Sequence, residues 1–155
     1  MGIFSFFKRK PRKFFTPEEN AMIVAAIQNS ERLTSGEIRV FVESKNTYVN
    51  TLDRAREIFA QLKMFETQER NAVLLYIAVD HREVALFGDE GIHQRVGTAY
   101  WDAAVQQMIA YFSKHDLAKG IETCVLQIGA TLQKEFPYQP TTDKNELPDD
   151  IVFGV

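Results

Sequence analysis

Hydrophobic positions recur at two different periods along the chain, and the switches between them outline the fold. Thr16-Pro17-Glu18-Glu19 places a capping residue, a first-turn proline and a reciprocal glutamate in the order that opens a helix, which runs to about Leu33. Thr34-Ser35-Gly36 breaks it, and over residues 37–43 Ile38, Val40 and Val42 alternate with polar residues, the period of a strand. Leu52, Ala55, Phe59 and Leu62 return to three- and four-residue spacing, so residues 51–64 read as an amphipathic helix lying on a sheet. Residues 72–79 are continuously apolar, as in a central strand covered on both faces. The turn Asp80-His81-Arg82 brings residues 83–87 back as an antiparallel partner. From Thr98 the period is helical again, with Trp101, Val105, Met108 and Phe112 on one stripe. A last helix carries Ile121, Cys124, Val125, Ile128 and Leu132 and stops near Phe136-Pro137.

A right-handed helical crossover makes the first two strands parallel, and the hairpin makes the third antiparallel. The expected fold class is therefore α/β: a single-domain α/β/α sandwich with a mixed central sheet of about four strands and helices on both faces. A basic tail (1–14), the folded domain (15–137) and an extended or partly disordered C-terminal tail (138–155) complete the chain.

That topology has a chemical consequence. The start of strand one, the start of strand two and the end of strand three meet at one end of the sheet, where Thr34-Ser35-Gly36-Glu37, Glu69-Arg70-Asn71 and Gly88-Asp89-Glu90-Gly91 converge. Carboxylates, an amide oxygen, hydroxyls and free carbonyls are the donors of hard cations, so Asp89 and Glu90 on a glycine-flanked loop fit an oxygen-ligand cation site. The same residues also suit a plain turn, with Glu37 and Arg70 as an ion pair at the sheet edge. His93 follows closely enough to act as a ligand or proton donor, or stands as an ordinary loop histidine. His81 and His115 are expected at the surface. Cys124, on an apolar helical stripe, reads as a small buried hydrophobe rather than a nucleophile, and Trp101, Tyr100 and Tyr111 as core or cavity lining rather than a stacking platform.

Composition narrows the function classes. The 155 residues, 45% hydrophobic and 25% charged, are those of one globular domain. One cysteine excludes an intrachain disulfide framework and any multi-cysteine metal site. The longest apolar run, eight residues, falls far below the roughly 18–20 of a membrane span. There is no glycine-rich phosphate loop, no GxSxG elbow and no HExxH motif.

Lys and Arg number 18 against 21 Asp and Glu, a net charge of −3, which argues against a specific nucleic-acid partner. The charge is uneven: Lys8, Arg9, Lys10, Arg12 and Lys13 have no acid among them, so the remainder carries −8. With Phe4, Phe6 and Phe7 ahead of them, they form a segment suited to weak contact with an anionic membrane surface or to a solvated terminus. The segment is too short for a secretory leader.

Taken in order, Thr34-Ser35-Gly36-Glu37-Ile38, residues 70–78 (Arg70-Asn71 and the apolar strand after it), Gly88-Asp89-Glu90-Gly91-Ile92 and the Trp101 helix resemble the TPM domain, in particular its small bacterial members. The resemblance spans residues 15–137. It implies a sheet between helices, an association with calcium or other divalent cations, and, from plant members, acid-phosphatase activity. Relatives include thylakoid-lumen proteins of photosystem repair and a modulator of acetylcholine receptors. Carried over by position, the cation falls on Asp89 and Glu90, with Asn71 and Glu37 as neighbours, Ca²⁺ as first choice and Mg²⁺ as second. Many relatives carry an acidic residue where this chain has Arg70, which removes one ligand. Many also have a leader and a membrane helix that are not recognisable here, so the expected location is cytoplasmic, at most peripheral at the inner membrane surface.

The function expected from all this is a divalent-cation and protein-interaction module with little or no catalysis. The alternatives are a metal-assisted acid phosphatase, in which Asp89 and Glu90 hold the ion and Arg70 steadies a phosphate oxygen, and a membrane-surface adaptor working through the N-terminal Phe/basic segment.

Overall fold

The computed structural model describes residues 13–47, 50–140 and 147–154. Their elements are α1 (Pro17–Glu31), β1 (Glu37–Glu43), α2 (Thr51–Gln61), β2 (Ala72–Ala78), β3 (Glu83–Gly88), α3 (Glu90–Val96), α4 (Thr98–Ser113), α5 (Leu117–Glu135) and β4 (Ile151–Phe153). The sheet order is β3-β2-β1-β4. β1 and β2 pair in parallel from Glu37↔Ala72 to Glu43↔Ala78, β2 and β3 pair antiparallel from Val73↔Gly88 to Ala78↔Glu83, and β4 joins β1 in parallel at Val40↔Ile151. The expected α/β/α sandwich with a mixed four-stranded sheet is the fold observed.

The sequence signals act where expected. Thr16 closes a capping box with Glu19, its N–H donating to Glu19 Oε1 at 2.9 Å while Glu19 N–H donates to Thr16 Oγ1 at 3.1 Å. Asn50 caps α2 through Oδ1, which accepts from the N–H groups of Leu52 and Asp53. One core lies beneath α1, α4 and α5, joining Ile38, Val40 and Val42 to Val73, Leu75, Ile77, Val84 and Leu86. The other lies beneath α2, around Phe41, Phe59, Leu74, Tyr76 and Ala85, and is reached by Leu147. β2 is buried on both faces. Cys124 is buried, and burial pushes its thiol up to about 12, as befits a packing residue.

Three local features depart from the sequence reading. β1 is buried along all seven residues, so its alternating polar positions lie inside as well. Glu43 is held there by Arg54 of α2, whose Nε and Nη2 donate to its two oxygens at 2.9 Å each, and by the hydroxyl of Tyr76. Burial and the Glu43 carboxylate raise the Tyr76 hydroxyl above its ordinary value, and the same carboxylate raises the Arg54 guanidinium. Residues 90–96 form a separate short helix, α3, divided from α4 by Gly97 at φ 79°, a left-handed conformation that favours glycine. Ile151–Phe153 in the C-terminal segment, which lacks a periodic face, form the edge strand β4. Phe153 stacks against Phe14, with ring centroids 6.2 Å apart.

Among the described residues no helix is long and apolar enough to cross a membrane. Of the segment proposed for anionic surfaces, only Lys13 lies within the described residues, where it is exposed. Phe4, Phe6, Phe7, Lys8, Arg9, Lys10 and Arg12 lie outside them.

Candidate functional site

The three loops do converge at one end of the sheet. Ser35 Oγ–H donates to Glu69 Oε1 at 3.3 Å, Asn71 Nδ2–H donates to Ser35 Oγ at 3.1 Å, and Arg70 reaches across to Asp89. Asp89 sits just beyond β3, its N–H donating to Ala72 O at 2.9 Å as one more rung of the β2–β3 ladder. Its carboxylate then caps α3 by accepting from Glu90 N–H at 2.8 Å.

The same carboxylate takes a two-pronged ion pair from Arg70, Nε to Oδ2 at 2.7 Å and Nη2 to Oδ1 at 2.8 Å. The Asp89 side chain is 5% exposed and that of Arg70 42%, so the pair has one buried and one wet partner. Asp89 also raises the Arg70 guanidinium above its ordinary value. Glu90, 63% exposed, lies 3.4 Å from Arg70 Nη1 and adds a weaker contact. Arg70 occupies the left-handed region at φ 52°, and Gly91 follows so closely that a Cβ on it would stand 2.2 Å from Glu69 O.

The residues assigned to a cation therefore engage different neighbours. Asp89 and Glu90 face Arg70. Asn71 is buried against Ser35, and its Oδ1 has no hydrogen-bond partner among the described residues. Glu37 accepts from Leu147 N–H at 3.3 Å on the β4 side. The Glu37–Arg70 ion pair is not formed, because the returning C-terminal segment takes Glu37 and leaves Arg70 to Asp89. Among the described residues no group of three His, Cys, Asp or Glu side chains is placed to hold a metal ion.

Beside this cluster opens a cleft of about 800 Å³. Thr51, Leu52 and Arg56 of α2 form one wall, and Thr98, Trp101, Asp102, Val105 and Gln106 of α4 the other. β3 from Val84 to Gly88 is the floor, and Arg70, Asp89, Glu90 and His93 close one end. His93 belongs to α3, and its Nδ1 accepts from Trp101 Nε1–H at 3.1 Å, which places the ring proton of a neutral imidazole on Nε2. Trp101 is cavity lining, as its stripe suggested. Leu52, Arg56 and Asp102 carry no motif; only the helical period placing them on faces of α2 and α4 could have brought them forward. His81 and His115 are exposed as expected, with His81 Nδ1 accepting from Asn46 N–H at 3.1 Å.

A comparison with protein families matches residues 9–131 to the TPM domain. The chain belongs to the TPM domain family. This TPM domain is similar to the BA42 protein from the psychrophilic bacterium Bizionia argentinensis, known from an NMR structure. Identity is 36% over 94% of this chain and 99% of that one, with a TM-score of 0.84. It shares its fold with the N-terminal domain of the cg2496 protein from Corynebacterium glutamicum (15% identity, 81% of this chain and 86% of that one, TM-score 0.60). The same holds for the N-terminal domain of a protein from P. gingivalis (14% identity, 81% and 82%, TM-score 0.61). A comparison with curated proteins found no match.

Proposed function

We propose that this TPM domain is a divalent-cation and protein-interaction module with little or no catalysis, and that its working surface is the cleft between α2, β3 and α4. The observation that carries the reading is the cleft itself: about 800 Å³, within the range of ligand sites, floored by the edge strand β3, with Leu52, Trp101 and Val105 on its walls and Arg70, Asp89, Glu90 and His93 at one end. Asp89 is neutralised by a residue that can leave, since the Arg70 side chain is 42% exposed and can turn into water. A cation such as Ca²⁺ then competes with Arg70 for Asp89 and Glu90, and Arg70 sets its affinity. Titrating chelator-stripped, ¹⁵N-labelled protein with Ca²⁺ and Mg²⁺ tests this. Weak shifts are expected at residues 70–71 and 88–91, tightened at least about tenfold in Arg70→Gln by removal of the competing positive charge, and abolished in Asp89→Asn. Absence of shifts in both wild type and Arg70→Gln at millimolar metal contradicts the cation half of the proposal.

A second reading, hydrolysis of a phosphate monoester, is favoured by the family profile, which bears the name TPM phosphatase, and by two groups at the closed end of the cleft. Arg70 can orient a phosphate oxygen, and His93, with its tautomer set by Trp101, presents Nε2–H as a hydrogen-bond donor to a second phosphate oxygen as charge builds on it. Turnover of p-nitrophenyl phosphate that survives repurification and falls at least about tenfold in both Arg70→Gln and His93→Gln supports this reading. Turnover indifferent to both substitutions removes it.

A further inference from the structure

β3 is an edge strand, the last of the order β3-β2-β1-β4. The Asp89 N–H to Ala72 O bond sets the phase of its ladder: with the register Leu74↔Phe87 and Tyr76↔Ala85, it is Ala85, Phe87 and Asp89 that exchange hydrogen bonds with β2. Val84, Leu86 and Gly88 therefore turn their N–H and C=O groups away from the sheet, and among the described residues these groups have no hydrogen-bond partner.

All three residues line the cleft. Their side chains do not fill it: Val84 and Leu86 belong to the core beneath α4, Ala85 to the core beneath α2, with Phe87 packed against it. What the floor offers is a row of backbone donors and acceptors at two-residue spacing. A helix has already used its own amide groups, so the occupant that matches this row is an extended backbone.

Resting on the reading of the cleft as the working surface, we infer that it receives an extended segment of a partner protein, which adds to β3 as a fifth strand between α2 and α4. Such a segment, about 20 Å long for six residues, lies against Leu52 on one side and Trp101 and Val105 on the other, so it carries apolar side chains on both faces. The charge of the cleft gives it a sign. Arg56 is bound by Asp53 at 3.1 Å and Arg70 by Asp89, whereas Asp102, exposed on the α4 wall, has no ion pair among the described residues. The segment therefore carries a lysine or arginine beside its apolar stretch.

The test uses the full chain and a blocked synthetic peptide, Lys-Val-Leu-Val-Leu-Val-Lys, apolar on both faces, with two further versions N-methylated on one or the other set of alternate residues. Binding is expected to shift the amides of Val84, Leu86 and Gly88 and slow their hydrogen exchange at least about tenfold. One methylated version loses binding and the other keeps it, because only one set of amides faces β3. Asp102→Lys, at an exposed position, weakens the peptide at least about threefold. Equal binding by all three peptides overturns strand addition while leaving the cleft as a binding site. No binding at millimolar peptide overturns strand addition too, and the cation titration then decides separately on the cleft. Protection of the same amides that grows with protein concentration, without peptide, assigns the edge to a second copy and contradicts a partner segment.

Discussion

At the residue scale, two carboxyls drawn into the protein, Glu43 and Glu31, are held in different ways, and their removal has different costs. Glu43 is buried between Arg54 and the Tyr76 hydroxyl, so Tyr76→Phe takes one hydrogen bond from a buried carboxylate while Arg54 remains. Chemical denaturation is expected to show a loss of about 1–3 kcal/mol with an unchanged m value. Glu31 stands in the opposite situation. Burial first, then a hydrogen bond with Asp149 and the charge of Glu37, raise its carboxyl far above the ordinary range, although the Ile38 N–H it accepts at 2.7 Å works the other way. A carboxyl raised in the folded state binds its proton better there than in the unfolded chain. The folded protein is therefore favoured below the ordinary carboxyl value and loses stability as pH rises above it, by up to about 1.4 kcal/mol per pH unit from this group. Glu31→Gln keeps a neutral amide in place, so melting scans are expected to show a higher midpoint than wild type at pH 8 and a smaller difference at pH 4.5. An equal gap at both pH values contradicts this role.

Among the elements, α3 shows how a site residue and a structural residue coincide. Asp89 ends the β3 ladder, caps α3 and holds Arg70, so Asp89→Ala removes a cap and an ion pair together. The cap alone is worth about 1 kcal/mol, and unfolding titrations are expected to show at least that loss. Gly91 is constrained by space: its Cβ would meet the carbonyls of Glu69 and Arg70 at 2.2 and 2.6 Å, which belong to backbone that cannot rotate aside. Gly91→Ala is expected to cost about 1–3 kcal/mol and, by displacing the Arg70 loop, to broaden the amide signals of residues 69–71. Much of this was legible beforehand. The capping box, the three loops that meet and the α2 and α4 stripes follow from short-range period and turn chemistry. The burial of Glu43 was hidden because its partners, Arg54 and Tyr76, stand on other elements. β4 and the burial of Glu37 and Arg39 were not legible, because they depend on a segment more than a hundred residues downstream, which contributes Leu147 N–H, Asp150 and the edge strand. The choice of Asp89 over Glu37 by Arg70 was hidden for the same reason.

For the whole molecule, the sheet is a sandwich closed unevenly. β4 occupies the edge beside β1, with its half-exposed Phe153 stacked on Phe14, while the edge at β3 is flanked by α2 and α4 without being covered by either. The cleft follows from this arrangement: two helices pack on opposite faces of one edge strand and leave the backbone between them. The chemistry at its closed end comes from loops that the parallel crossover and the hairpin bring together. The most direct measurement of this account is the amide hydrogen exchange of β3 in the free full-length protein, read residue by residue by NMR. An open, correctly phased edge predicts alternation, with Ala85, Phe87 and Asp89 exchanging at least about tenfold more slowly than Val84, Leu86 and Gly88. Uniform protection across residues 84–89 would mean that something already pairs with the edge, and would contradict the cleft as an open binding site.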